Sequence, residues 1–416
     1  MARPWLGSVA FGADSDGRGF VYEPGELLVT SAGLARLREI TRDRFDEIRT
    51  VGRLTLVGGI RDVVGTARAL RAEGLAAQPN HVFFANPITF ANPITFANPN
   101  TFANPNGGHS ASGCGCGSCV RTPMPPTAPT DAPRQTLATA APAPTLPTFP
   151  ASPNGPTVLV LDTGLANDDF CPSFSGPVTS ISANDVDRPD EDTDGFIDPA
   201  AGHGTFIAGI IERAAPGTAV VVDRVLSTFG QGDDADIADV INAIPDDKLP
   251  EIMNLSFSGY TEDDQPPLAI SDAIRRVVEL GTVVVASAGN DASCRKSWPA
   301  ALPEVISVGA VGNGGPAPFT NFGPWVRACA PGVGIVSRFF VPKGGDASSL
   351  PTDSDDQAFD GWASWSGTSF AAPGVIGALA CRMMATGCTA QEAVGAVIDD
   401  PHLLRIQGLG TVVNVA

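Results

Sequence analysis

The chain has 416 residues, 43% of them hydrophobic, enough to bury one large core and a smaller one beside it. Its 45 acidic residues against 26 basic ones leave a net charge of -19. That balance gives no basic footprint for nucleic acid and repels anionic lipid surfaces, so neither nucleic acid nor membrane is an expected partner.

Residues 1–19 read as an N-terminal tail. They hold no unbroken apolar stretch of seven or more, so no signal peptide is read and a cytoplasmic location is expected, with secretion by another route left open. No stretch approaches the ~18 uncharged apolar residues of a membrane-spanning helix, so a soluble protein is expected. Residues 20–84 form a patterned unit. FVYEPGELLVT reads as a strand broken by a Pro-Gly turn, LARLREITRDRFDEI as an amphipathic helix, RLTLVGG as a strand, VVGTARALRAEGL as a second helix, and HVFFA as a closing strand. Two helices on a small antiparallel sheet bury one apolar face, a marginal core that gains by docking on something larger.

Residues 85–156 read as a long tether. It begins with the tandem repeat FANPIT FANPIT FANPNT FANPNG, running from Phe84 to about Gly107. A proline every sixth residue prevents a helix, and the asparagine before it is pushed to extended geometry. A Gly- and Cys-rich stretch and a Pro/Thr/Ala-rich stretch follow, with too few large apolar residues to fold alone. From 157 to 416 the pattern changes to alternating strands and helices. TVLVL, AVVVDRVL, EIMNLSF, TVVVASA and EVISVGAV are near-continuous apolar runs, as expected for parallel strands covered on both faces, so this part is an α/β domain.

Three segments of that domain carry chemistry. Asp162 follows four apolar residues, which places it at the carboxyl end of a strand. His203 stands between two glycines and opens an apolar helical run. Ser369, in SGTSFAAP, opens another, with Pro373 read as lying in a first turn that needs no amide hydrogen. A serine hydroxyl needs a histidine to take its proton and a carboxylate to orient that histidine, and each role has one candidate. Asn290, after the strand TVVVA, offers a side-chain amide to a developing oxyanion, with the Ser369 backbone N–H as a second donor. Each residue taken alone is also an ordinary cap or turn residue; their combination makes the site.

The segments around Asp162, His203, Asn290 and Ser369, in that order of acid, base and nucleophile, resemble those of the subtilisin-like serine proteases. The resemblance covers roughly residues 157 to 410 and implies a three-layer αβα fold with a mostly parallel sheet. It implies endopeptidase activity through an acyl-enzyme, with Asp162, His203 and Ser369 as the triad and Asn290 as the oxyanion residue. It further implies that Ser256, Phe257 and Ser258 pair with the backbone of a protein or peptide substrate, and that Ala286, Ser287, Ala288 and Gly289 wall the specificity pocket. Two positions depart from the family pattern: Phe206 stands where many members have a second histidine, and Phe257-Ser258 replaces leucine-glycine. The N-terminal unit is similar, more weakly, to the inhibitory propeptides of the family, which implies a small α+β ferredoxin-like fold acting as an intramolecular inhibitor. The repeat then begins where such a tail enters the active site. Its FANP units read as tethered, poorly cleavable substrate mimics, as substrates cut after the phenylalanine of ITF, or as spacer.

No cofactor is required by this chemistry. The acidic run from Asp185 to Asp198 contains oxygen ligands at alternate positions with a glycine sixth, similar to the first half of a calcium loop, although Ala201 stands at the twelfth place. Asp190, Asp192, Asp194 and Asp198 are therefore either a structural calcium site or a solvated acidic loop. In the tether, His109, Cys114, Cys116 and Cys119 offer a zinc set of unusual spacing. The five cysteines of the large domain are expected as reduced thiols. Three functions follow: a self-inhibited endopeptidase, a dedicated processing protease for one precursor, or a dormant scaffold whose tether meets a partner.

Overall fold

The structure, a computed structural model, describes residues 9–41, 45–85, 138–141, 155–167, 170–171, 173–181, 186–341 and 359–415. The N-terminal unit runs β1 (Ala10–Ala13), β2 (Gly19–Thr30), α1 (Ser31–Ile40), β3 (Asp46–Val51), β4 (Leu54–Gly58), α2 (Val63–Ala72) and β5 (Ala77–Ala85). Its sheet order β5-β2-β4-β3, with antiparallel neighbours and two helices on one face, is a split βαβ arrangement. The Thr30 hydroxyl caps α1 by accepting from Gly33 N at 3.3 Å, and Asp62 caps α2 through Gly65 N at 2.9 Å. Strand alternation divides the apolar residues. Leu27 and Val29 point to Leu34, Leu37, Ala67 and Leu70 of the helices, whereas Leu28 points to the opposite face.

Three expectations change here. The first helix ends at Ile40 rather than running on to Ile48, because Asp46–Val51 pairs with β4 as a strand. The Pro24-Gly25 pair does not break β2; the strand runs through it with a shift in register, Gly25 taking a φ of 79°. Residues 10–13 are not tail, since β1 pairs with β2 from Ala10↔Tyr22 to Ala13↔Gly19.

The large unit contains β6 (Thr139–Ala140), β7 (Thr157–Asp162), β8 (Val178–Ser180), α3 (His203–Ala214), β9 (Ala219–Arg224), β10 (Gln231–Asp233) and α4 (Asp234–Ala243). It continues with β11 (Ile252–Leu255), β12 (Phe257–Ser258), α5 (Leu268–Glu279), β13 (Val283–Ser287), β14 (Ile306–Gly312), β15 (Gly315–Pro316) and β16 (Ala328–Pro331). It ends with β17 (Ile335–Arg338), β18 (Trp362–Trp365), α6 (Thr368–Thr386), α7 (Ala390–Val394), β19 (Arg405–Ile406) and β20 (Gly410–Val412).

The main sheet has the order β19-β20-β16-β14-β13-β11-β7-β9-β8, and every neighbouring pair from β20 to β8 is parallel. In β7, Val158 and Val160 enter the core beneath α3 and α6, while Leu159 and Leu161 enter the core beneath α4 and α5. The continuous apolar runs follow from this burial on both faces: the unit is a three-layer αβα structure. From β7 the chain moves to β9 on one side and later to β11 on the other, so a crevice opens at the carboxyl ends of β7, β11 and β13. Helix α6 is long and apolar enough to cross a membrane by length and composition, against the expectation from sequence, but 72% of that window is buried inside the molecule, as a core helix requires.

Part of the expected tether is ordered against the large unit. β6 pairs antiparallel with β18, Ala140 opposite Ala363, and Ala138 is buried in the core next to Trp365. The repeat after Ala85 and the set His109, Cys114, Cys116 and Cys119 lie outside the described residues.

Candidate active site

Asp162 ends β7 and His203 opens α3, and the two meet at the crevice. His203 Nδ1 lies 2.7 Å from Asp162 Oδ1, and both side chains are fully buried. The glycines flanking the histidine are required by this approach. Gly202 has a φ of 82°, and a Cβ on Gly204 would stand 2.3 Å from the Gly164 carbonyl oxygen. The imidazole is walled by Trp365, edge-on with centroids 5.7 Å apart, and by Phe370 at 5.2 Å. With Nδ1–H directed at the carboxylate, Nε2 is left as the proton acceptor, and it has no partner among the described residues. Phe206, at the position of the family's second histidine, is buried against Trp365 and Phe370 and fills the space behind the site.

Ser369 is the second residue of α6. Its Oγ donates to the Ser256 carbonyl at 3.2 Å rather than to His203, so the Asp162–His203 pair is formed while the hydroxyl is turned to the residue between β11 and β12. Pro373 does not lie in the first turn as expected from sequence; it stands four residues after Ser369 inside the helix. It therefore gives the Ser369 carbonyl no helical N–H, and Ser256 Oγ supplies the missing donor at 2.9 Å. Asn290 is fixed through its oxygen, which accepts from Thr368 N and Thr368 Oγ1, both at 2.9 Å, so its amide nitrogen is the group that can donate elsewhere.

Sequence reasoning missed Asp187. This buried carboxylate accepts from Thr163 Oγ1 and Gly202 N at 3.0 Å and from Thr205 Oγ1 at 3.3 Å. It thereby ties the turn after Asp162 to the start of the histidine helix. Burial pushes its pKa up to about 8, against the pull of the Gly202 amide and Thr163. Only its place in an acidic run hinted at it, and that run suggested a metal.

Of the proposed pocket wall, Ala286 faces the core beneath α4 and α5, while Ala288 packs on Val326, Cys329 and Leu409. Gly289 has a φ of 99° and its amide donates to Thr368 Oγ1 at 3.1 Å; Ser287 is buried with its hydroxyl unpartnered among the described residues. Ser256, Phe257 and Ser258 line a groove that is already occupied. β5 of the N-terminal unit lies between β12 and β10, antiparallel to both, with Ala85↔Phe257, Phe84↔Ser258 and Phe84↔Gln231. Phe83 is buried with its ring 6.3 Å from that of Phe257.

The docking face around the groove was also not anticipated. Arg68 and Arg71 each reach the buried Glu262 at 2.6 Å, Arg53 pairs with Asp272, and Arg49 pairs with Asp236 and Asp239. Asn80 Oδ1 accepts from Ala235 N, and Gln78 Oε1 from Leu268 N, both at 3.1 Å, so two side chains of β5 satisfy the open N-termini of α4 and α5.

The acidic loop is only partly as expected. Asp190, Asp192 and Asp194 place carboxylate oxygens within 4.8 Å of one another. Asp198 does not join them, because its carboxylate accepts from Glu191 N at 2.8 Å and from the Thr228 hydroxyl. Asp185 lies outside the described residues. Cys171, Cys329, Cys381 and Cys388 are not disulfide-bonded, but Cys294 is, against the expectation of reduced cysteines throughout; its partner lies outside the described residues.

Residues 153–400 match the family described as the Subtilase family. A thermophilic serine proteinase of Bacillus sp. (strain AK1) is 32% identical over 272 residues, covering 62% of this chain and 59% of the relative. An extracellular basic protease of Dichelobacter nodosus is 28% identical over 290 residues, covering 59% of this chain and 46% of the relative. The chain thus spans about half to three-fifths of the length of these relatives. A crystal structure of a cold adapted subtilisin-like serine proteinase, 23% identical, covers 67% of this chain and 95% of its own with a TM-score of 0.49. A relative named as extracellular overturns the expected cytoplasmic location and points to secretion.

Proposed function

The chain belongs to the subtilase family, and from that premise we propose that it is a serine endopeptidase, secreted as a precursor whose N-terminal unit occupies its own substrate groove. The observation that carries the reading is the fully buried His203–Asp162 pair at 2.7 Å beside a helix that begins at Ser369. In the reaction the Ser369 hydroxyl turns from the Ser256 carbonyl to His203 Nε2, which takes its proton as Oγ attacks a peptide carbonyl. Asp162 holds the imidazole in the required tautomer and stabilises the imidazolium that forms. The oxyanion is received by the Asn290 amide and the Ser369 backbone N–H, at the start of α6 where the helix dipole favours negative charge. His203 then gives its proton to the leaving nitrogen, and water resolves the acyl-enzyme by the same route. Substrate proteins bind as an added strand against β12, a mode that reads backbone first and side chains second.

The filled groove favours the self-inhibited precursor over the dormant scaffold. The same reading assigns Asp190, Asp192 and Asp194 to a structural calcium ion, a role for which a rise in melting temperature on adding calcium is the expected sign. Fluorophosphonate labelling tests the central point: the full chain should be labelled at Ser369, and Ser369→Ala should lose labelling, self-processing and peptide hydrolysis together. Processing that persists in the purified Ser369→Ala protein would assign the cut to another protease.

A further inference from the structure

Asp187 lies outside the triad, yet the two segments that carry Asp162 and His203 are clasped through it. Helix α3 begins at a glycine N-cap and has no side-chain cap of its own. Its first N–H groups are met from elsewhere in the chain: Gly202 N donates to Asp187 Oδ1 and Gly204 N to Thr163 Oγ1, both at 3.0 Å. Thr205, on the helix, returns the contact, its Oγ1 accepting from Ala166 N at 2.8 Å. Each hydroxyl thus accepts a backbone N–H from the opposite segment. A hydroxyl has one proton to give, and both give it to Asp187 Oδ2, Thr163 at 3.0 Å and Thr205 at 3.3 Å. Asp187 is itself anchored on the Asp162 side, where its N–H donates to the Leu165 carbonyl at 3.2 Å. The clasp reaches the reacting groups directly. Thr163 N donates to Asp162 Oδ1 at 2.8 Å, the same oxygen that meets His203 Nδ1 at 2.7 Å. Asp162 Oδ2 has no partner among the described residues, so of those residues the Thr163 amide and the imidazole are the groups that orient this carboxylate.

We propose that Asp187 is a positioning residue for peptide hydrolysis: it draws both threonine protons to one oxygen, turns the hydroxyls toward the opposite backbones, and so sets Asp162 and His203 at their working separation. The proposal rests on the serine-peptidase reading. Its argument lies in the choice of a carboxylate. The side chain is fully buried and has no ion pair among the described residues; Arg224, whose charge it feels, is bonded to Glu191. Burying a carboxylate in this way is costly, and stability by itself would favour an apolar side chain. What the carboxylate provides is an acceptor-only group that takes Gly202 N and two hydroxyl protons at once. An asparagine of the same shape cannot do so, because its NH2 brings protons of its own and turns at least one hydroxyl away. The two segments are already in contact, since a Cβ on Gly204 would lie 3.3 Å from the Asp162 Cβ. Loss of the clasp therefore lets them part rather than close, and a displacement of about 1 Å at a reacting pair costs on the order of 10²-fold in rate.

The test measures turnover of a reporter peptide by the full chain, counted per Ser369 that a fluorophosphonate labels at completion, so that loss of folded protein does not pass for loss of rate. It is run at pH 9, where Asp187, which burial pushes up to about 8, is largely ionised. Asp187→Asn should lower kcat per labelled site roughly tenfold to a hundredfold with KM within about twofold. Thr163→Val and Thr205→Val should each lower it about threefold to tenfold, while Thr163→Ser and Thr205→Ser, which restore the hydroxyl, should recover most of the loss. Because the three side chains act as one unit, the triple variant should be no slower than Asp187→Asn by more than about twofold. Turnover per labelled site that is unchanged in Asp187→Asn, or losses that multiply in the triple variant, overturns the proposal and leaves the peptidase reading intact. If Asp187→Asn does not fold, the threonine variants decide: unchanged turnover per site in both, or a serine that recovers nothing, overturns the proposal equally. Absence of labelling in the unaltered chain overturns the peptidase reading and the proposal with it.

Discussion

The two units of this molecule bury their apolar surface in different ways. The central strands of the large unit, β7, β11 and β13, feed a core on each face of the sheet, so that Val158 and Leu159, adjacent in β7, both find partners within the unit. The N-terminal unit has one core of its own, built by Leu27, Val29, Leu37 and Leu70 beneath its helices. Its other face, with Leu28, Val51, Leu54 and Leu56, shares a cluster with Ile237, Ile241 and Ile274 of the large unit. A unit of some sixty-five residues with a single private core is marginal. The small unit therefore buries its second face on the surface it blocks, whereas Asp162, His203 and Ser369 all stand on elements of the large unit.

That contrast can be broken at either end. The largest effect belongs to the large unit alone: Asp162→Asn should lower turnover of a reporter peptide by about 10⁴, through loss of the productive tautomer of His203, while thermal unfolding still shows both units docked. Phe83→Ala should act on the junction instead. Truncating a buried aromatic costs about 3–5 kcal/mol, here taken from the shared cluster, so the N-terminal unit should melt in a separate, earlier transition and Ser369 should label faster. A single cooperative transition at an unchanged temperature would show that the small unit does not depend on the groove. Asn290→Ala should reduce turnover by about 10²–10³ with little change in KM, the outcome expected of an amide that serves the oxyanion and not the ground state. A rise in KM at unchanged turnover would move Asn290 from the oxyanion site to substrate binding.

How far the sequence was legible follows the same division. The positions of Asp162, His203 and Ser369 could be read because local backbone demands point to them: two glycines that α3 needs to approach β7, and small residues at the start of a buried helix. The three-layer fold could be read because a strand buried on both faces has no polar alternation. Asp187 could not, because its three donors come from two separate segments and it gathers meaning only when they meet. Nor could the bond from Ser256 to the carbonyl orphaned by Pro373, which joins residues 113 apart in the chain. The end of α1 was misread because FDEIRTV satisfies helical and strand periods about equally, and pairing with β4 decided it. The docking arginines look like solvated helix and strand faces until their carboxylate partners, 187 to 219 residues away, are in place.

Acid should pull the two units in opposite directions, and this is the smallest and sharpest form of the comparison. His81, on β5, is fully buried and accepts from Glu262 N at 3.2 Å through Nε2. Burial lowers its pKa from 6.5 to about 3, helped by the positive charges of Arg71 and Arg295; Phe20 and the paired Tyr22 complete its surroundings, and the buried Glu262 carboxylate is held by Arg68 and Arg71. A base with a depressed pKa is held neutral, so its contribution is complete above pH 6.5 and is lost as pH falls toward 3. The loss is about 1.4 kcal/mol per pH unit, or about 2 kcal/mol at pH 5. In the large unit burial raises Asp187 to about 8 and Asp234 to about 7, the latter despite accepting from Ile270 N and Ala269 N. An acid with a raised pKa binds its proton more tightly in the folded state, so these two strengthen the large unit as pH falls from 8 toward 4. In the Phe83→Ala chain, where the two transitions are separate, the melting temperature of the N-terminal transition should therefore drop between pH 8 and pH 5 while that of the large unit holds or rises. His81→Phe should flatten the first trend and leave the second unchanged. If both transitions fall in parallel in the His81→Phe chain, the acid response belongs to the general charge of the protein rather than to this buried ring.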